Sequence, residues 1–145
     1  MKNWLYENSE ILDISQLPKD TVGFVYKITH NTTGKFYIGK KILHSTRNKP
    51  LTKREIEEWS KPGKVPKKKR VVTESDWQSY WGSSKSLLTD LKSLGRGDFT
   101  REILKPCVSK KQMTYWELYY QIKFEVLHID SWNDNILGKL FRKDI

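Results

Sequence analysis

Cysteine is nearly absent from this 145-residue chain, where Cys107 stands alone. An intrachain disulfide and a cysteine zinc site are both excluded, and a reducing compartment fits. Cys107 follows a strand-like run and reads as a small core residue without a role of its own. Long apolar runs are lacking as well. No stretch approaches the ~18 residues that a membrane span needs, and the first ten residues hold no apolar signal-peptide core. A cytoplasmic protein is the expectation. Acidic residues are scarce, with 17 Asp and Glu against 27 Lys and Arg, a net charge of +10. A surplus of that size points to a polyanionic partner, most simply nucleic acid. Internal repeats are absent too.

What is present is aromatic. Six Trp, seven Tyr and five Phe can fill the modest core of one domain, or in part stack on bases. Residues 1–20 carry weak periodicity and read as an N-terminal arm ending in the turn-like Leu17-Pro18-Lys19-Asp20. Gly23-Phe-Val-Tyr26-Lys-Ile-Thr29 and Phe36-Tyr37-Ile-Gly-Lys-Lys41 are strand-like, and the polar linker His30-Asn-Thr-Thr-Gly34-Lys35 joins them as a β-hairpin. Thr52-Lys-Arg-Glu55 has the form of a capping box opening a short helix. Residues 60–72, with two prolines, a glycine and six basic residues, read as a cationic loop. From Arg47 to Arg70 there are ten basic and three acidic residues, so this segment holds most of the net charge. It forms a basic insert, 48–72, suited to phosphate contact through Lys64, Lys67, Lys68, Lys69 and Arg70, with Lys41 just before it. A solvated linker is its alternative.

Apolar positions 87, 88, 91 and 94, closed by Gly95, predict a helix over 85–94. Asp98–Leu104 alternates as a third strand, which Pro106 should end. Ser109-Lys-Lys-Gln112 opens a helix to about Leu127. On that helix Met113, Trp116, Tyr120, Phe124 and Leu127 form an apolar stripe, and Glu117 borders it. A carboxylate so placed must be ion-paired, hydrogen-bonded or metal-bound. Residues 138–145 are a short basic tail. The expected fold is one α+β domain: a small three-stranded, mainly antiparallel sheet (23–30, 36–41, 98–104) flanked by helices.

With these residues in hand, the chain resembles the GIY-YIG nuclease family, most of all its free-standing phage homing-type endonucleases. Phe24-Val-Tyr26 stands where the family has Gly-Ile-Tyr, Tyr37-Ile-Gly39 matches the second half, and Arg47 follows eight residues later. Tyr80-Trp-Gly82-Ser-Ser84, Phe99-Thr-Arg-Glu-Ile-Leu104, Glu117 and Asn135 continue the set in order over roughly residues 22–137. Phe24 departs from the motif, the stretch from Lys40 to Trp81 is longer than in minimal members, and the expectation is a nuclease core without a separate DNA-binding domain.

The resemblance implies a DNA endonuclease that acts in the cytoplasm, the host's if a phage encodes it. It implies one divalent ion, Mg²⁺ with Mn²⁺ as a substitute, on Glu117, and Asn135 near the active site. In this reading Tyr26 is the general base, Tyr37 positions the water or a phosphate oxygen, and Arg47 clamps the phosphate with its planar fork. Lys40 is the cation that favours the ionised phenol. His44 protonates the leaving group or binds a phosphate if it lies one helical turn before Arg47, and Asn135 hydrogen-bonds in the site. No membrane or protein partner is implied, and the oligomeric state is open. The alternative is a nucleic-acid-binding protein on the same scaffold without catalysis. An RNA-binding module is a third reading, for which the chain carries no recognised RNA motif.

Overall fold

The computed structural model describes residues 2–145 and divides into two compact units, Asp76–Ile145 with the chain up to Leu43, and His44–Ser75. The first unit carries a five-stranded sheet. Its strands are β1 (Trp4–Tyr6), β2 (Ser9–Ile11), β3 (Gly23–His30), β4 (Phe36–Ile42) and, much later in the chain, Phe99–Cys107. With β5 (His44–Pro50), α1 (Lys53–Glu57) and β6 (Lys68–Glu74) forming the second unit, and α2 (Lys85–Leu94) following it, that last strand is β7. α3 (Lys110–Lys123), β8 (Asn135–Ile136) and β9 (Leu140–Phe141) complete the chain. The sheet order is β2-β1-β7-β3-β4, antiparallel except where β1 meets β7.

The α+β class and the antiparallel β7-β3-β4 centre agree with the sequence. The three-stranded sheet does not, because two further strands come from the N-terminal segment. Glu7 and Asn8 both take positive φ, which closes β1 and β2 into a two-residue hairpin. Trp4 anchors it: the ring is fully buried and its Nε1 donates to the Trp77 carbonyl at 2.7 Å.

β7 also runs past Pro106 to Cys107 instead of ending before it. Leu104 is the extra residue of a bulge, since Val25 faces Lys105 while Tyr26 faces Ile103. β1 pairs with β7 only at Glu102, so the proline nitrogen owes no ladder bond on that side.

β3 is buried on both faces, so alternation gives each face its own core. Phe24, Tyr26 and Ile28 pack with Trp4, Trp77, Trp81, Leu87, Leu91 and Trp132 beneath α2. Val25 packs with Ile38, Cys107, Met113, Val126 and Leu127 beneath α3. α3 carries the expected N-cap, Ser109 Oγ accepting from Gln112 N, and α2 carries one that the sequence reading did not name, Ser84 Oγ accepting from Leu87 N. α3 stops at Lys123, four residues short of the expectation, because Glu125 takes positive φ and turns the chain.

In the second unit, β5 and β6 form a separate two-stranded antiparallel ribbon. The Thr52–Glu55 capping box is present, with Thr52 Oγ1 accepting from Glu55 N and Glu55 Oε1 accepting from Thr52 N. The loop expected over 60–72 is shorter, because Lys68–Val72 join β6. The stretch from His44 to Arg47 is strand, not helix. Residues three apart on a strand point to opposite faces, so His44 and Arg47 do not line up as they would one helical turn apart.

Candidate active site

Tyr26 and Tyr37 meet as the hairpin reading requires. Tyr26 pairs with Gly39 and Ile28 with Tyr37, so the two tyrosines are diagonal neighbours on one face, with ring centroids 6.2 Å apart. Gly39 is needed there. A Cβ on it would lie 2.5 Å from the Tyr26 hydroxyl oxygen and 2.7 Å from Tyr26 Cζ. Gly82, at φ +94, approaches from another side, where a Cβ would lie 3.5 Å from both the Tyr26 hydroxyl oxygen and Tyr37 Cε1. Two glycines therefore close over one phenol.

The two phenols differ in access. Tyr26 is 1% exposed and walled by the Trp4 and Tyr80 rings at 5.2 and 6.0 Å. Burial, and then the neighbouring Tyr37 and Tyr80, hold its hydroxyl protonated well above the usual phenol range. Tyr37 is half-buried and opens onto a cavity of about 600 Å³. Its hydroxyl lies 3.5 Å from Ser83 Oγ, and burial raises its pKa too.

Glu117 projects from α3 into the same cavity. Its side chain is 17% exposed, and burial lifts its pKa against the opposing pull of Lys40. The Lys40 ammonium is 4.0 Å from Glu117 Oε1 and donates to Thr114 Oγ1 at 3.0 Å. The carboxylate thus has a cation nearby but no close ion pair. Asp134 and Asn135 line the cavity as well, and the Asn135 side chain caps the backbone N–H of Gly138 at 2.9 Å.

Three residues that the sequence reading passed over hold this site in shape. Asn133 is buried, and its amide spans the backbone of Ile38, accepting from N and donating to O at 2.9 Å each. Gln121, one turn after Glu117, donates to the same Ile38 carbonyl at 3.3 Å. The middle residue of Tyr37-Ile-Gly39 is therefore clamped from α3 and from the late loop. Arg101, fully buried, donates to the carbonyls of Gln78, Tyr80 and Lys2, and lies over the Trp4 and Trp81 rings. Burial lowers its pKa to about 10. The available signals were Asn133-Asp-Asn135 itself, the Glu117/Gln121 spacing, and an arginine at an inward position of an alternating strand.

The other expected residues divide. Lys41 lies 2.6 Å from Asp76 Oδ1 and 4.0 Å over the Tyr80 ring, so it serves the wall behind Tyr26. His44 and Arg47 are exposed on β5 in the second unit. Lys64 and Lys67 are exposed in its loop, and Lys68 and Arg70 on β6. Lys69 is instead bound to both carboxylate oxygens of Glu55 at 2.7 Å.

Tyr37 on the sheet and Glu117 on α3 thus line one polar cavity, and comparison with known families identifies the chain's family. The family model described as "Putative endonuclease segE, GIY-YIG domain" matches residues 4–137, and the chain belongs to the GIY-YIG endonuclease family. Searches of curated proteins and of solved structures returned no match. Among the described residues no helix is long and apolar enough to cross a membrane.

Proposed function

We propose that this chain is a metal-dependent DNA endonuclease that hydrolyses phosphodiester bonds at the cavity between Tyr37 and Glu117. The observation that carries the reading is the Glu117 carboxylate, sequestered in a polar cavity with its pKa raised by burial and no close ion pair. Such a group fits a divalent cation. No cluster of three or more His, Cys, Asp or Glu side chains exists among the described residues, so one carboxylate would hold the ion weakly. Mg²⁺ suits that donor set, because it binds through one or two carboxylates plus substrate phosphates. When bound, the ion supplies charge neutralisation at the phosphate.

The protein's own groups do the rest. Tyr37, with its hydroxyl on the cavity, meets the attacking water and takes the base role in its phenolate form, which burial disfavours and positive charge at the site, Lys40 included, must offset. Tyr26, sealed beneath Gly39 and Gly82, is a positioning residue that fixes the Tyr37 ring. This exchanges the two roles expected from the sequence, for reasons of access. Lys40 offsets charge beside Glu117. Arg47 is the phosphate clamp, with an exposed guanidinium whose planar fork matches two phosphate oxygens. His44 points to the other ribbon face and does not share a phosphate with it. Asn133 keeps Tyr37 and Gly39 in register, and Asn135 orders the Asn135–Gly138 turn at the cavity rim.

Supercoiled plasmid incubated with Mg²⁺ should be nicked or linearised, and EDTA should stop the reaction. Glu117→Gln and Tyr37→Phe should each lower the rate by about 10²-fold or more. Tight DNA binding without cleavage under any divalent cation would leave the binding-scaffold alternative in place and remove the enzyme.

A further inference from the structure

The β5–β6 ribbon has two unlike faces. Directly opposed residues of an antiparallel pair share a face, and the register pairs even with even: His44 with Glu74, Thr46 with Val72, Asn48 with Arg70, Pro50 with Lys68. Every residue of this even face is exposed, including Val72 at 60%. The odd face is partly covered. Ser45, Lys69 and Val71 are half-buried there, and the Lys69–Glu55 bonds tie that face to α1.

The two faces also differ in chemistry. The middle of the even face offers Asn48 beside Arg70 and Thr46 beside Val72. Among the described residues no side-chain hydrogen bond to protein engages Thr46, Asn48 or Arg70. Asn reads the adenine edge bidentately, Arg reads guanine, and Thr or an apolar group meets the thymine methyl. A surface meant only for phosphates needs cations, whereas an exposed valine, threonine and asparagine at the centre of a basic ribbon suit base edges. Lys68 on the same face, with Lys64 and Lys67 in the preceding loop, supplies cations toward the phosphates. The dimensions agree. A seven-residue strand is about 23 Å long, and the major groove admits a two-stranded ribbon.

We propose that the even face of the β5–β6 ribbon enters the major groove of duplex DNA and reads base edges through Asn48 and Arg70, with Thr46 and Val72 as apolar contacts. This rests on the reading of the chain as a DNA endonuclease and locates its sequence preference in the ribbon.

The test is anisotropy of labelled duplexes with the full chain in EDTA, where cleavage is silent. Methyl green, which occupies the major groove, should displace the protein, and the minor-groove ligand netropsin should not. The double variant Asn48→Ala/Arg70→Ala should lose about tenfold or more on preferred duplexes and equalise affinity across sequences. Lys64→Gln/Lys67→Gln should weaken all sequences alike and lower the salt slope. Melting curves confirm that both variants fold. Displacement by netropsin alone, or a uniform loss in the Asn48/Arg70 variant matching the lysine variant, overturns the proposal in favour of phosphate contact only. Plasmid cleavage is read separately. A chain that binds through the groove but never cuts would sink the endonuclease reading and leave the ribbon's role standing.

Discussion

Glu117 is the residue whose charge and surroundings disagree most. Its folded pKa lies above its ordinary value, so the native state holds its proton to higher pH than the unfolded chain does. Native stability therefore falls as pH rises from the unfolded value near 4.5 through the raised folded one, because ionisation then opposes folding. Glu117→Gln removes that dependence. In EDTA its melting temperature should exceed that of the natural chain at pH 8, and the gap should close toward pH 4, although in Mg²⁺ the variant should cleave about 10²-fold or more slowly. A variant less stable at pH 8 would instead mark Glu117 as half of a structural pair with Lys40.

Gly39 makes the complementary case for a residue whose value is absence of bulk. Gly39→Ala should cost about 1–3 kcal/mol from overpacking against Tyr26. Gly97, where an added methyl would meet nothing within 4 Å and φ is not positive, should accept alanine without loss. Tyr26→Phe removes the atom nearest the methyl added at Gly39. Tyr26→Phe/Gly39→Ala should therefore cost less than the sum of the two single changes in urea unfolding. The tyrosines and Gly39 were legible because they belong to a motif with fixed spacing, and Glu117 because it borders the apolar stripe of a capped helix. The access difference between the two phenols was not, since it depends on Trp4, Tyr80 and Gly82 arriving from distant segments.

The clamped stretch Tyr37-Ile38-Gly39 shows how the strands become a site. Asn133→Ala would leave the buried Ile38 N–H without its acceptor, at about 1–3 kcal/mol, while Gln121 still donates to the Ile38 carbonyl. Unfolding should show that destabilisation, and cleavage should fall more than DNA binding as the Tyr37 ring slips out of register. An equal fall in both would make Asn133 a general stabiliser only. Helices α2 and α3 and the β3–β4 hairpin could be read in advance, because periodicity, N-caps and the Asn/Gly turn act locally. β1 and β2 could not. Three-residue strands leave little alternation to read, and a Glu-Asn turn is a weak hairpin signal. β6 was hidden for another reason: Lys68, Lys69 and Arg70 have little strand propensity, and cross-strand pairing with β5 overrides it.

At the scale of the whole molecule, the charge is the dominant quantity, and most of it lies in one segment. Sequence alone located that segment, since clustered lysines need no fold to be noticed. It did not distinguish cations already engaged from those available. Lys69 is bonded to Glu55 and Lys41 to Asp76, while Lys64, Lys67, Lys68 and Arg70 are exposed. Lys69→Gln should therefore change the salt dependence of DNA binding less than Lys67→Gln does. The slope of log affinity against log salt is the measurement, and it should shrink by about 0.9 for each phosphate that the variant no longer neutralises.

The pairing of Leu5 with Glu102 has a consequence in time. A ribosome completes the first strand long before its neighbour in the sheet exists, and the carboxylate on α3 and the Asn133 clamp follow later still. The growing chain can close the β3–β4 hairpin early, but the aromatic wall behind Tyr26 must wait for Tyr80 and Arg101, and the cavity for residues beyond Glu117. Such distant closures slow folding. For a protein proposed to cut DNA, that order delays assembly of the site. On the proposed reading, a nascent fragment can present the basic ribbon before it holds Glu117 and Asn133, so DNA binding should precede cleavage during synthesis.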